Sequence, residues 1–269
     1  MFIKRNKEEN DMGIAIITGA SSGMGKEFAL QLVNEPTICE FWLIGRSTER
    51  LKNTAERMKA LYAGNSDKIP NCKVISLDFE KEGWQEIFSQ LLQEEKPEIS
   101  HLIQAAGYGI VGNLAECNGL AQTNMVRVNC ETLTFISHAC IPYMRAGSHM
   151  VLLGSVAAFL PQPGFAVYAA SKSYVLSFGR ALRHELSKKN IIVTTVCPGP
   201  VDTPFFDRAE QEGTRAWYKN LFIAKPDKVV ALAIKDAKQG KAVSVYGWAM
   251  KCMRVLTKII PHGLILKFF

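Results

Sequence analysis

No two of the seven cysteines, at 39, 72, 117, 130, 140, 197 and 252, form a C-x-x-C pair. An odd, scattered set resembles neither a disulfide framework nor a zinc site, so a reducing compartment is expected. An apolar signal-peptide core is missing as well, since MFIKRNKEEND is charged from its fourth position. No uncharged apolar run reaches the roughly 20 residues needed to cross a bilayer, and a cytoplasmic location is expected. Acidic residues stop at Asp236, after which Lys238, Lys241, Lys251, Arg254, Lys258 and Lys267 stand unbalanced. Six of the seven units of net charge (+7) therefore belong to the tail. A nucleic-acid-binding domain would be basic over its whole face, and that class is set aside. His184-Glu185 begins an H-E-x-x-H, but position 188 is Lys, so no metal is expected.

What is present suits one globular core: 48% of the 269 residues are apolar and 21% charged. Short β-branched runs predict strands at 14–18, 41–45, 73–77, 101–105, 149–154, 191–197 and 242–246. Helical periodicity predicts helices at 24–34, 48–62, 81–93, 119–144, 166–188 and 227–238. Apolar strands alternating with amphipathic helices imply an α/β fold. The expected form is a Rossmann-type, doubly wound parallel sheet of about seven strands with helices on both faces. The predicted organisation is a polar N-terminal extension (1–12), a single Rossmann-type domain (13–247) and a basic amphipathic tail (248–269). Within the domain, 199–226 is rich in Gly and Pro yet carries Phe205, Phe206, Trp217, Tyr218 and Phe222, which suits a substrate loop or lid.

IAIITGASSGMGKEFA passes from a strand through a glycine turn into a helix, with Gly19, Gly23 and Gly25 spaced G-x-x-x-G-x-G. Glycine lets the backbone approach a pyrophosphate, and the helix N-terminus offers it free N–H groups and positive dipole. Ser21 and Ser22 add hydroxyl donors; Met24 lies within the turn. No G-K-[ST] follows, which excludes a P-loop. About 20 residues on, NAD enzymes place an acid for the ribose 2′-OH. Here the chain reads Gly45-Arg46-Ser47. An arginine forks onto a 2′-phosphate, with Ser47 as a further donor, so NADP(H) is the expected cofactor.

Tyr168 and Lys172 stand four apart on one predicted helix face, and Ser155 ends a strand 13 residues earlier. A tyrosine that exchanges a proton, a cation beside it and a hydroxyl that holds the substrate oxygen suit alcohol–ketone chemistry without a metal. In family order the chain shows TGASSGMG, LDFE, the asparagine of VRVNCETL, the serine of LLGSVAA, YAASK and CPGPVDTPF. With these motifs the sequence resembles the short-chain dehydrogenase/reductase family from about residue 13 to at least 205. The resemblance implies Tyr168 as general acid/base, Ser155 orienting the carbonyl, and Lys172 lowering the tyrosine pKa while binding the nicotinamide ribose. It implies Asn129 in a water-mediated proton relay. It places Asp78, with Phe79 beside it, at the adenine, and Pro198, Gly199, Val201 and Thr203 at the nicotinamide carboxamide. Where the family often has Asn-Asn-Ala-Gly, this chain has Gln104, Ala105, Ala106 and Gly107. Both asparagines are missing, while Ala106 and Gly107 still allow close cofactor approach. A homo-oligomer paired through 119–144 and 166–188 is implied too, with Ala169, Ala170, Ser173, Ser177 and Gly179 permitting close helix contact.

The expected activity is NADP(H)-dependent interconversion of a carbonyl and a secondary alcohol on a hydrophobic small molecule. A silent nucleotide sensor of the same fold is the alternative. In the tail, Lys251, Arg254, Lys258 and His262 stand opposite Met253, Leu256, Ile259 and Ile260, the pattern of an amphipathic helix. Packing over the cleft or against another subunit is the preferred expectation, and peripheral membrane contact the less favoured one.

Overall fold

Seven parallel strands form one sheet in the order β3-β2-β1-β4-β5-β6-β7. The computed structural model describes residues 12–63, 69–205 and 223–268. The strands are β1 (Gly13–Thr18), β2 (Ile38–Gly45), β3 (Asn71–Ser76), β4 (Ile99–Gln104), β5 (Met144–Leu153), β6 (Ile192–Val196) and β7 (Val243–Ser244). Helices are α1 (Gly23–Leu32), α2 (Thr48–Leu61), α3 (Trp84–Glu95), α4 (Gly119–Val126), α5 (Thr132–Cys140), α6 (Ala166–Ser187), α7 (Pro226–Lys238), α8 (Trp248–Ile259) and α9 (His262–Ile265). Every residue of β1 and β4 is buried, as it must be for central strands covered by helices on both faces. One core lies under α3, α5 and α6, with Trp42, Phe88, Leu102 and Ile136 in it. The other lies under α1, α2 and α7, around Phe28, Phe41, Leu43 and Val230. Residues 1–11 of the expected N-terminal extension and 206–222 of the expected lid lie outside the described residues.

The predicted helix 119–144 is broken into pieces. Between α4 and α5 a π-helical turn spans Arg127–Glu131, and the 3₁₀ turn Ile141–Tyr143 ends the run. Pro142 cannot continue an α-helix, and β5 starts at Met144 rather than 149. Its first residues, Met-Arg-Ala-Gly-Ser-His, lack the apolar run that marks a covered strand. Elsewhere the predicted boundaries shift by a few residues; β7 shrinks most, to two.

Helix α6 approaches the sheet closely at Gly179, where a β-carbon would run into the Thr195 hydroxyl and meet Leu152 Cδ1 at 3.1 Å. Gly179 therefore serves packing within the chain, and Ala169 is buried too; only Ala170, Ser173 and Ser177 of the small residues named above face outward. The subunit-pairing role expected of all five thus falls to three at most.

At the strand ends opposite the glycine turn, His101 of β4 and His149 of β5 are in register, with rings stacked at 5.3 Å. Burial, reinforced by His149, pushes His101 down to about 3, and burial lowers His149 as well. Because the folded-state pKa lies below the unfolded value, the unfolded chain binds more protons in acid. This contribution to stability is complete above about pH 6.5 and is lost as pH falls. Between pH 6.5 and 5, His101 alone is expected to remove about 2 kcal/mol. Urea midpoints across that range should show the fall, and His101→Leu should flatten it; an unchanged slope in the variant would show that the ring titrates normally.

Candidate active site

The C-terminal ends of the strands open on a cleft of about 1250 Å³. That exceeds the roughly 300–1,000 Å³ of a site for one drug-sized molecule. It lies at the switch point of the sheet, where β1 is flanked by β2 on one side and β4 on the other. At one end is the glycine turn. Gly19 and Gly23 have φ of +70° and +53°, conformations that favour glycine, and a β-carbon on Gly19 would sit 2.9 Å from the Ala105–Ala106 backbone. Ser22 caps α1 without a side-chain bond, and the first turn of α1 holds no acid. That N-terminus therefore offers its amide hydrogens and dipole to an anion. Gly19, Ser21, Ser22, Gly23, Met24 and Gly25 all line the cleft here.

At the outer edge stand Arg46 and Arg50, with Asp78, Phe79 and Glu80 facing them from the segment after β3. Arg46 Nη1 pairs with Glu80 Oε1 at 3.3 Å and is about half exposed. Asp78 accepts the Glu80 amide at 3.1 Å, and Phe79 is anchored edge-on against Trp84. Two features here escaped sequence reasoning. Arg50 is a second cation, signalled only by standing one helical turn after Arg46. Glu80 is an acid brought in from 34 residues away, which the reading of the β2 end by itself had no means to include. Ser47, expected as a phosphate donor, caps α2 by accepting the Arg50 amide and does not line the cleft.

Ala106 and Gly107 line the cleft floor. Gln104, standing where the family pattern has asparagine, is turned away and donates to Ser137 Oγ at 2.7 Å inside the core. The Ala106 amide donates instead to Thr18 Oγ1 at 3.2 Å, so the floor is held by β1.

Tyr168, Lys172 and Ser155 converge deeper in. The first turns of α6 carry Tyr168 and Lys172; Ser155 caps the 3₁₀ turn Val156–Phe159, accepting the Ala157 amide at 3.1 Å. Lys172 Nζ donates to the Leu153 carbonyl at 2.8 Å and lies 5.6 Å from the Tyr168 ring centre. An ammonium has three donors, so this single bond leaves others for a ligand. Phe165 stacks on Tyr168 at 4.2 Å, and Phe205 approaches it at 5.5 Å. Burial pushes the Tyr168 hydroxyl up to about 12, outweighing the hydrogen bond from Ser155 that works against it. Burial also pushes Lys172 down to about 8. Lys172 lies beside the ring, and burial sets the upward direction of the Tyr168 shift.

Asn129, like Ser47, does not line the cleft. It sits in the π-helical turn, a feature often found at functional sites. Its Oδ1 accepts the Tyr108 amide at 3.0 Å, and its Nδ2 donates to the Tyr108 carbonyl and to Ser171 Oγ. Ser171 in turn donates to the Tyr168 carbonyl at 2.7 Å, so Asn129 ties the floor to α6.

Pro198, Gly199, Val201 and Thr203 line the wall beyond β6. Met250 and Met253 of α8 complete this end, and Met250 packs on Gly199. The tail thus covers the cleft, as preferred from sequence, but only Met253 of its expected apolar face does so; Leu256, Ile259 and Ile260 are exposed. Cys197 is buried and pushed up to about 12, which suits a packed strand end rather than a nucleophile.

The profile of the family described as short chain dehydrogenase matches residues 13–213. Sulfoacetaldehyde reductase 2 of Chromohalobacter salexigens is 32% identical over 239 residues, covering 86% of this chain and 91% of that protein. Two solved structures share the fold. A short-chain dehydrogenase from Sphingobium yanoikuyae in complex with NADPH superposes with a TM-score of 0.77 at 23% identity, over 94% of this chain and 95% of that one. One from Burkholderia phymatum in complex with NAD gives 0.74 at 22% identity, over 91% and 92%.

Proposed function

The chain belongs to the short-chain dehydrogenase family of oxidoreductases, and from that premise we propose that it interconverts a carbonyl and a secondary alcohol on an apolar small molecule with NADP(H). The observation that carries this reading is the convergence of Tyr168, Ser155 and Lys172 at the end of a cleft whose other end is the uncapped glycine turn. The residues present fit a dinucleotide: glycines and free amides for the pyrophosphate, Asp78 and Phe79 for the adenine, Lys172 for ribose hydroxyls. Pro198, Gly199, Val201 and Thr203 would meet the carboxamide. Arg46 and Arg50 together favour a 2′-phosphate, because both cations line the edge where that group would lie. The two solved relatives hold NADPH and NAD respectively, so the preference rests on this chain's own arginines.

Bound there, the dinucleotide supplies or accepts hydride. Tyr168 donates its proton to the carbonyl oxygen, and Ser155 hydrogen-bonds the same oxygen as charge grows on it. Burial holds Tyr168 protonated, so it enters the reduction as a proton donor. Asn129 Oδ1 and Lys172 Nζ both come close behind Gly107, which supports a proton relay through them.

Around Tyr168 the lining is Val111, Val156, Leu160, Phe165, Phe205 and Met253, with no cation but Lys172 among the described residues. An apolar ketone buries its surface against such a lining. A silent sensor would have no use for the tyrosine, serine and lysine together. A homo-oligomer remains part of the proposal. Apolar ketones should be reduced by NADPH in preference to NADH, followed by loss of nicotinamide absorbance. Tight cofactor binding with no consumption on any ketone or alcohol would favour the sensor instead.

A further inference from the structure

Helix α8 has two apolar sides. Met250 and Met253 face the cleft, while Trp248, Val255, Leu256 and Ile259 are exposed, Trp248 by 77% and Ile259 by 72%. At roughly 100° per residue these four positions fall within an arc of about 100°. Thr257 is buried on the opposite side, its hydroxyl bonded to the Met253 carbonyl at 3.0 Å. Leu264 and Leu266, also exposed, extend the stripe beyond Pro261. Lys251 and Lys258 flank it, exposed, with Lys267 further on.

We propose that this outer face of α8 docks on an anionic phospholipid surface. Charge selects that occupant. Lys238 and Lys241 are paired with Glu35 and Asp236, but the tail itself, 248–269, carries Lys251, Arg254, Lys258 and Lys267 and no Asp or Glu. A second copy would be disfavoured, because a two-fold contact through this face sets its lysines against themselves without an acid to offset them. An anionic headgroup layer offsets them, at about 1 kcal/mol for each basic side chain near the surface. A tryptophan at the start of the helix suits the headgroup level, and the apolar side chains below it suit the acyl boundary. Among the described residues no helix is long and apolar enough to cross a membrane, which leaves a surface-lying helix.

Co-sedimentation of the full chain with vesicles tests this. Binding is expected to phosphatidylcholine vesicles containing phosphatidylserine, weaker to phosphatidylcholine alone, and screened by roughly 0.5 M salt. Trp248→Ser with Ile259→Ser should weaken binding at least about tenfold, and Lys251→Glu with Lys258→Glu should do the same on the anionic vesicles. All four side chains are exposed, so both variants should keep the wild-type circular dichroism and melting curve. Absence of vesicle binding by the wild type would overturn the proposal. So would binding indifferent to both pairs, or a fall in oligomer mass in the Trp248→Ser, Ile259→Ser variant, which would show a second copy on the stripe. Vesicle binding without turnover of any ketone would leave the docking intact and remove the enzymatic reading; turnover without vesicle binding would do the reverse.

Discussion

Tyr168→Phe should lower turnover about 10²-fold or more while leaving cofactor binding close to wild type. The substitution keeps the ring that Phe165 and Phe205 pack against, so the wall of the cleft survives. What disappears is the proton donor. Burial holds that hydroxyl protonated at neutral pH, and with it gone the substrate oxygen retains only Ser155. The loss should therefore fall on kcat more than on KM, since the hydroxyl acts most strongly where charge develops. Stopped-flow kinetics with an apolar ketone, beside fluorescence titration of NADPH, separates the two. A variant that keeps wild-type turnover would show that the proton comes from elsewhere.

The second large effect is on cofactor choice. Arg46→Asp should reduce kcat/KM for NADPH by about 10- to 100-fold and change that for NADH little. Arg46 is half exposed, and its pairing with Glu80 at 3.3 Å is screened by solvent, so releasing it costs little stability. The new aspartate would stand near Glu80 and Asp78, making an edge that repels a 2′-phosphate yet accepts a hydrogen bond from a ribose hydroxyl. Arg50 remains in the variant, which limits the loss; removing both cations should deepen it. A wild type that prefers NADH, or a variant equally impaired with both cofactors, would contradict the assignment.

These predictions rest on parts of the chain that differ in how openly the sequence displays them. The sheet was legible because β1 is a nearly unbroken apolar run and β2 carries Phe41-Trp42-Leu43-Ile44, as covered parallel strands need. The glycine turn and the Tyr168–Lys172 spacing were legible because their chemistry is local. The break in 119–144 was not, since the π-helical turn Arg127–Glu131 holds no glycine or proline to mark it. The start of β5 was hidden for a different reason: Arg145, Gly147 and Ser148 read as a loop, and they form an irregular stretch between Met144 and His149, which pair with Ile99 and His101 of β4. Glu80 beside Arg46, Gln104 turned into the core, and Met250 on Gly199 are contacts between distant segments, which periodicity does not encode. The tail shows the limit most plainly. Its pattern announced one apolar face, whereas the fold divides the apolar side chains between the cleft and the outside.

The most direct test of the central claim follows the hydride itself. The chain would be incubated with an apolar ketone and NADPH carrying deuterium at the reactive carbon of its nicotinamide ring, and the alcohol examined by mass spectrometry. The account predicts deuterium at the carbinol carbon from one face of the ring, abolished or slowed about 10²-fold by Tyr168→Phe. Unlabelled alcohol, or no alcohol from any apolar ketone while NADPH is bound, would contradict it.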